Sequence, residues 1–180
     1  AKLITHYILA LPLKPVPFDR GCALYAAAYL DRAISDLLFL SLVENKRVEK
    51  DLFEGTAPLA SFSSRIKLAY YLGKLSPSMR RDLDLIRKIR NDFAHSAENL
   101  TFETERIASR CKELQYTYHD ADQRPRGHFT SAVCGVLATI EMTGFQSVAP
   151  VELPDKIPSN EEKEELRNRV KRAVFGTDSI

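Results

Sequence analysis

Arg90, Asn91 and His95 are the residues whose types and spacing could do chemistry. The ordinary pKa of an imidazole lies near neutrality, so His95 could act as a general acid or base. The guanidinium of Arg90 could hold a phosphate through two donors, and Asn91 could orient either the imidazole or the phosphate. A cation at this place would stabilise the charge of a phosphorane without a metal. The three residues are therefore a candidate site for acid and base chemistry.

The spacing of this set imposes a geometric condition. His95 follows Arg90 by five residues, which rotates one side chain away from the other by about 140° on an ideal helix. The two can converge on one phosphate only if the helix unwinds near Ala94, or if a second chain completes the site across a twofold axis. An unbroken helix through Ser96 in a monomer would remove most of the case for catalysis.

Arg90 also has a structural interpretation. Residues 82–96 predict an amphipathic helix, and Arg90 projects into its apolar arc. A guanidinium in such surroundings stays charged only if carboxylates, carbonyls or a phosphate satisfy its donors. Asp31 and Asp36, on the long helix that comes earlier in the chain, are the best candidates for an internal ion pair with Arg90. The sequence leaves both interpretations open.

The elements that must position these residues are all predicted to be helices. Apolar residues recur at helical spacing in six or seven segments, and no alternating strand pattern bounded by a tight turn occurs. The segments are a long helix over 20–44, a short one that ends near Gly55, and further helices within 56–75, 76–96, 103–114, 129–142 and 161–176. Gly144 is expected to close the helix over 129–142. The predicted fold class is all-α, a single-domain helical bundle of six to seven helices.

The chain order predicts four regions. A proline-rich N-terminal arm covers residues 1–17, the helical bundle core covers 18–145, an extended linker covers 146–160, and a C-terminal helix covers 161–180. The apolar content of the last helix is thin, so we expect it to dock late or against a partner. We also expect a homodimer.

Composition excludes several classes of protein. The formal net charge of +2 is too small to indicate nucleic-acid binding by itself. Three widely separated cysteines and four histidines without ligand spacing predict neither a disulfide framework nor a metal site. The sequence contains no nucleotide-binding glycine loop, so no cofactor is predicted. No signal peptide and no apolar run of about 20 residues occur, which predicts a cytoplasmic protein without a membrane partner.

A second candidate site is a basic cluster on the same helix as Arg90. Arg80, Arg81, Arg87 and Lys88 are predicted to lie on its exposed side, and they could bind a protein partner or nucleic acid. A solvated helix face of mixed charge is the alternative, because three aspartates interrupt the cluster: Asp82, Asp84 and Asp92.

Two stretches of this sequence resemble known families. The arginine, the following polar residue and the histidine of RNDFAH resemble the active-site motif of HEPN domains, small helical bundles of which many are metal-independent ribonucleases that work as dimers. The longer text from APLASFSSRIKLAYYLGKL through DLDLIRKIRNDFAH resembles the mannitol operon repressor (MtlR) family of all-helical bacterial regulators. This second resemblance covers roughly residues 18–115, and its length makes it the more specific of the two.

The resemblances imply two functions. The MtlR-like one is a regulator of the transcriptional repressor type that acts by binding a macromolecular partner, with no chemistry of its own. We expect a protein partner, with RNA or DNA possible, because no helix-turn-helix motif is recognisable. The alternative is a HEPN-type ribonuclease or toxin that would use Arg90, Asn91 and His95 as catalytic residues. Whether the chain is an enzyme stays open at this point, although the longer resemblance favours the regulator.

Overall fold

A computed structural model describes residues 19–96, 99–117 and 123–176. Over these residues the chain forms seven helices and no strands, which confirms the predicted all-α fold. The helices are α1 (Asp19–Phe39), α2 (Lys46–Phe53), α3 (Phe62–Tyr71), α4 (Pro77–His95), α5 (Glu105–Lys112), α6 (Pro125–Gln146) and α7 (Asn160–Phe175). The N-terminal arm predicted at 1–17 lies outside the described residues.

Local sequence signals explain where several helices begin and end. Ser76 accepts a hydrogen bond from the amide of Met79, and Pro77 occupies the first turn of α4, where its missing N–H is not needed. Gly55, which directly follows the C-cap of α2, has a φ of +63°, a conformation that glycine adopts without strain. These ends match the sequence-based expectation.

The helix α6 is longer than its sequence predicted. It begins at Pro125, which is compatible with a first helical turn, and continues through Gly144 to Gln146. The expected range was 129–142, with Gly144 as the terminating residue. Gly144 instead lies within the helix, because glycine lowers helix stability without forbidding the conformation.

The bundle is built around α1, which packs against α3, α4 and α6. The helix α5 packs against α4 and α6. Three aromatic rings connect α4 to α6 through the loop that precedes α5, with centroids of Phe93 and Phe102 at 5.1 Å and those of Phe102 and Phe129 at 5.0 Å. All three rings are almost completely buried, so they anchor the end of the core nearest to His95.

The chain divides into two compact units, Ala1–Pro150 and Val151–Ile180. The first holds α1 to α6 and the hydrophobic core. The second holds α7, and every described residue of this unit is exposed. None of the helices in the described ranges is long and apolar enough to cross a membrane.

Candidate functional site

The helix α4 carries both candidate sites, and it is unbroken from Pro77 to His95. Ser96 caps its end, where the Ser96 amide donates to the carbonyl oxygen of Asp92 at 3.1 Å. Arg90 is exposed and donates to Oδ1 of the adjacent Asn91 at 3.0 Å. The helix therefore does not unwind between Arg90 and His95, and the two side chains leave it in different directions.

This geometry does not support the ribonuclease alternative within one chain. A residue spacing of five on an intact helix separates two side chains by about 140°. The hydrogen bond from Arg90 to Asn91 joins the first two members of the set but leaves the imidazole of His95 outside it.

The expectation that Arg90 is buried in the apolar arc is wrong. Arg65 of α3 reaches Asp31 about halfway along α1, whereas α4 continues to the beginning of α1, where Arg20 donates to the carbonyl oxygen of Ser96 at 2.8 Å. The last turns of α4 therefore extend past the start of α3. Arg90 has the angular position of a core residue on α4, yet its side chain is exposed.

Asp31 and Asp36 pair with other arginines. Nη2 of Arg65 lies 2.9 Å from Oδ2 of Asp31, and Nε of Arg32 lies 2.9 Å from Oδ1 of Asp36. Over the described ranges Arg90 forms an ion pair with neither carboxylate. Arg65 thus forms the ion pair with Asp31 that one of the two interpretations expected of Arg90.

Burial raises the pKa of the Asp31 carboxyl above its ordinary value, and the charges of Arg65 and Arg90 only partly oppose this effect. Oδ1 of Asp31 and Nε of Arg65 are both buried without a hydrogen-bond partner. The sequence did contain a signal for this pair, since Arg65 follows Phe62 by three residues and precedes Ala69 by four, on the inner face of α3.

The basic cluster of α4 lies partly against neighbouring side chains. The guanidinium of Arg80 lies 4.7 Å from the ring centroid of Tyr70, a cation–π contact. Arg81 donates from Nη1 to the carbonyl oxygen of Glu113 at 2.9 Å and from Nη2 to its carboxylate at 3.1 Å. Lys88 is exposed.

The remaining member of the cluster, Arg87, has its Nε 3.5 Å from Oδ1 of Asp84. This nitrogen is buried and lacks a hydrogen bond of good geometry, so the contact is electrostatic. Neighbouring side chains therefore hold three of the four cations in place, and the fourth extends into solvent.

Asp82 does not belong to this surface, although the sequence placed it among the acids that interrupt the cluster. It is completely buried, and its Oδ2 accepts hydrogen bonds from the amides of Gln115 and Tyr116, both at 2.8 Å. A Cβ added at Gly135 would lie 2.1 Å from the carbonyl oxygen of Tyr116, so the same segment also touches the backbone of α6. Asp82 and Gly135 together fix the segment that leaves α5.

Asp92, another acid of the α4 face, forms an ion pair with Arg110 of α5. With Asp82 buried and Asp92 neutralised, Asp84 is the remaining acid of α4, and it lies beside Arg87. Asp84 pairs with Arg87 and Glu113 pairs with Arg81, so Arg80 and Lys88 are the cations of the cluster that have no carboxylate partner among the described residues.

Two comparisons relate this chain to known proteins. The family model described as "Mannitol repressor" (MtlR) matches residues 23–128, which is more than half of the chain. The chain belongs to the mannitol repressor family. A solved structure, described as the X-ray structure of the MtlR-HPr complex from Escherichia coli, matches with a TM-score of 0.65 and 19% sequence identity. The match covers 78% of this chain and 99% of that chain.

The match to the solved structure supports the fold of this MtlR family member, and the family assignment confirms the resemblance found in the sequence. A search of curated proteins found no match. The region that matches the family extends from the first turns of α1 into the beginning of α6. It contains the Asp31–Arg65 ion pair and the whole of α4, whereas α7 lies outside it.

The three cysteines of this MtlR family member are free thiols: Cys22, Cys111 and Cys134. Burial raises the pKa of each, and that of Cys111 reaches about 12. Thiols of such high pKa are poor nucleophiles at neutral pH. Over the described ranges, no group of three or more His, Cys, Asp and Glu side chains could hold a metal ion.

Proposed function

We propose that this chain is a mannitol-operon regulator that acts by binding a protein partner, namely HPr or a protein like it. The observation that carries the proposal is the family match over residues 23–128, in a chain whose fold aligns with 99% of the MtlR chain solved in a complex with HPr. Repression of transcription is the role that the family name implies. We propose that repression operates through the protein partner rather than through direct contact with an operator.

The basic face of α4 is the surface that we propose for the partner. Arg80 and Arg81 lie about two turns before Arg87 and Lys88 on one helix, within the region that matches the family. Three of them are held by a tyrosine ring or a carboxylate, so less side-chain entropy is lost when they contact a partner. A surface of this sign fits an acidic patch on the partner.

The ion pair between Arg81 and Glu113 lies at the edge of this face. Both side chains are about half exposed, at 45% and 52%. An exposed pair of this kind contributes little to stability, typically about 0–1 kcal/mol. Arg81 can therefore exchange Glu113 for a carboxylate of the partner at small cost.

The direct test is a titration calorimetry experiment between the purified chain and HPr from the same host. We expect a saturable complex that the double variant Arg81→Glu with Lys88→Glu weakens about tenfold, because it reverses two charges of the proposed surface. Lys50→Glu is the matched control, since Lys50 is an exposed lysine on α2. The proposal fails if HPr does not bind and if the chain retains no other protein from its host.

The indirect mode of repression has its own test. We expect the purified chain to show only weak, salt-sensitive and unselective retention of mannitol promoter DNA in a gel-shift experiment. A reporter fused to that promoter should lose repression when the partner-binding variant replaces the wild type. Tight and sequence-selective retention of the promoter by the chain alone would contradict this mode.

A further inference from the structure

Tyr71 of α3 is an aromatic side chain that is almost fully exposed, at 88%. It directly follows Tyr70, whose ring lies 4.7 Å from the guanidinium of Arg80. This contact places the end of α3 beside the basic face of α4. Single exposed apolar side chains are common on protein surfaces, so it is the position of Tyr71 next to the proposed partner surface that makes it informative.

The outward side of α3 continues the basic face of α4. Lys67 precedes Tyr71 by four residues, so the two side chains are neighbours on the surface of the helix. Both are exposed, whereas Ile66 and Ala69 of the same helix are completely buried. The helix α3 therefore packs one side against the bundle and presents a cation and an aromatic ring to solvent.

The cations of α4 supply only part of what a stable complex needs. Exposed charges raise the association rate and select the partner, but an exposed ion pair typically adds about 0–1 kcal/mol. Most of the binding energy of a protein interface comes from a few well-packed residues, among which tyrosine and arginine are enriched. Tyrosine also loses little conformational entropy when it is buried. A partner held at the basic face therefore needs an aromatic residue beside the cations.

We infer that Tyr71 is the anchor residue of the partner surface, which extends over α3 and α4 and binds an apolar patch bordered by carboxylates. The inference rests on the function proposed above, because it adds a second helix to the same surface. Arg80 and Lys88 have no carboxylate partner among the described residues, so they are available to the carboxylates of the patch. The Tyr70 ring holds Arg80 in position, which reduces the entropy lost on binding.

Surface plasmon resonance of the full chain with HPr from the same host measures both rate constants. Tyr71→Ala should weaken the complex about tenfold or more, mainly through faster dissociation, because the change removes packing at the centre of the interface. Tyr71→Phe keeps the ring and should retain most of the affinity. Tyr25→Ala is the matched control, because Tyr25 is a 68% exposed tyrosine on α1. Circular dichroism would verify the helix content of each variant.

A charge reversal separates the role of the cations from that of the ring. Lys67→Glu should lower the association rate constant a few-fold and reduce its dependence on salt, with little change in the dissociation rate constant. Lys50→Glu is the matched control, since Lys50 is an exposed lysine on α2.

Three results would overturn the inference, and they differ in what they mean for the proposed function. A complex that is weakened by Arg81→Glu with Lys88→Glu but not by Tyr71→Ala would leave the proposed function standing without this anchor. Equal losses in Tyr71→Ala and Tyr25→Ala would show that the effect is not specific to α3. The absence of any complex between HPr and the wild-type chain would remove the proposed partner together with the anchor.

Discussion

Arg65 of α3 donates a hydrogen bond to Asp31 of α1, with 2.9 Å between Nη2 and Oδ2. The same nitrogen donates to the carbonyl oxygen of Ala60 at 3.2 Å. The pair connects the short helix α3 to the central helix of the bundle at a place where both side chains are mostly removed from water, at 14% and 31% exposure. This contact helps to fix how α3 packs along α1.

Removing the cation of this pair should destabilise the bundle. Arg65→Met keeps most of the side-chain volume but leaves the Asp31 carboxylate without its compensating charge. We expect the free energy of unfolding to fall by about 1–2 kcal/mol. This is less than for a fully buried pair, because Asp31 retains some contact with water. Urea denaturation measures this loss. Arg32→Met removes the cation of an exposed i, i+4 pair and should cost about 0.5 kcal/mol or less. Equal losses in the two variants would contradict the anchoring role of Arg65.

The raised pKa of Asp31 predicts a specific pH dependence. The folded chain holds the Asp31 proton more tightly than the unfolded chain does, because burial disfavours the carboxylate. The contribution of Asp31 to the free energy of unfolding therefore falls as the pH rises from the unfolded value of 3.8 through the higher folded pKa.

Asp31→Asn removes this titration. The free energy of unfolding of the wild type, minus that of Asp31→Asn, should decrease across this pH window and be constant above it. Arg65→Met should widen the window, since the Arg65 charge lowers the pKa of Asp31. A difference that increases with pH would mean that the folded pKa is lowered rather than raised.

Asp82 should be the most sensitive acidic residue of α4. Asp82→Ala removes the acceptor of the Gln115 and Tyr116 amides and leaves both amides unsatisfied. We expect a loss of about 3 kcal/mol or more, from two hydrogen bonds to a charged group. Hydrogen exchange at these two amides should accelerate. Asp84→Ala, a half-exposed acid two residues further along, should cost about 0.5 kcal/mol. Similar losses would show that the segment after α5 does not depend on Asp82.

Alanine substitution at two glycines of α6 should change the stability of the chain in opposite directions. Gly135→Ala places a Cβ 2.1 Å from the carbonyl oxygen of Tyr116, a contact that only a backbone shift can relieve. We expect destabilisation of about 1–3 kcal/mol despite the better helix propensity. At Gly144 the nearest atom to the added Cβ is Leu40 Cδ1 at 3.5 Å, an ordinary contact. Gly144→Ala should stabilise the chain by about 0.5–1 kcal/mol. The thermal unfolding midpoints of both variants would test these two predictions.

The thiol of Cys111 should be unreactive in the folded chain. It is completely buried, and its pKa of about 12 leaves roughly one thiolate in ten thousand near pH 8. We expect alkylation by iodoacetamide to label Cys111 only as fast as the bundle opens, with all three cysteines reacting in denaturant. Peptide mass spectrometry identifies the labelled residue. Rapid labelling of Cys111 without denaturant would contradict its burial.

The sequence by itself determined the helical fold, several helix ends and the family. Ser76 and Pro77 start α4 and Gly55 follows the end of α2 for reasons that depend only on neighbouring residues. Helical periodicity also identified the inner face of α4, because a spacing of about 3.6 residues fixes the angular position of each side chain. The longer stretch of sequence that resembles the mannitol repressor family was sufficient for the family assignment.

Only the tertiary structure decided which side chains of α4 are buried. Arg90 lies beside the core face of α4, yet it is exposed and donates to Asn91, and Arg65 pairs with Asp31 instead. Asp82 looked like a surface acid, yet it is buried because the segment after α5 crosses α4 at its level. Periodicity gives the direction of a side chain, whereas burial also depends on the lengths and axial offsets of neighbouring helices. Those offsets are set by contacts between residues far apart in the chain.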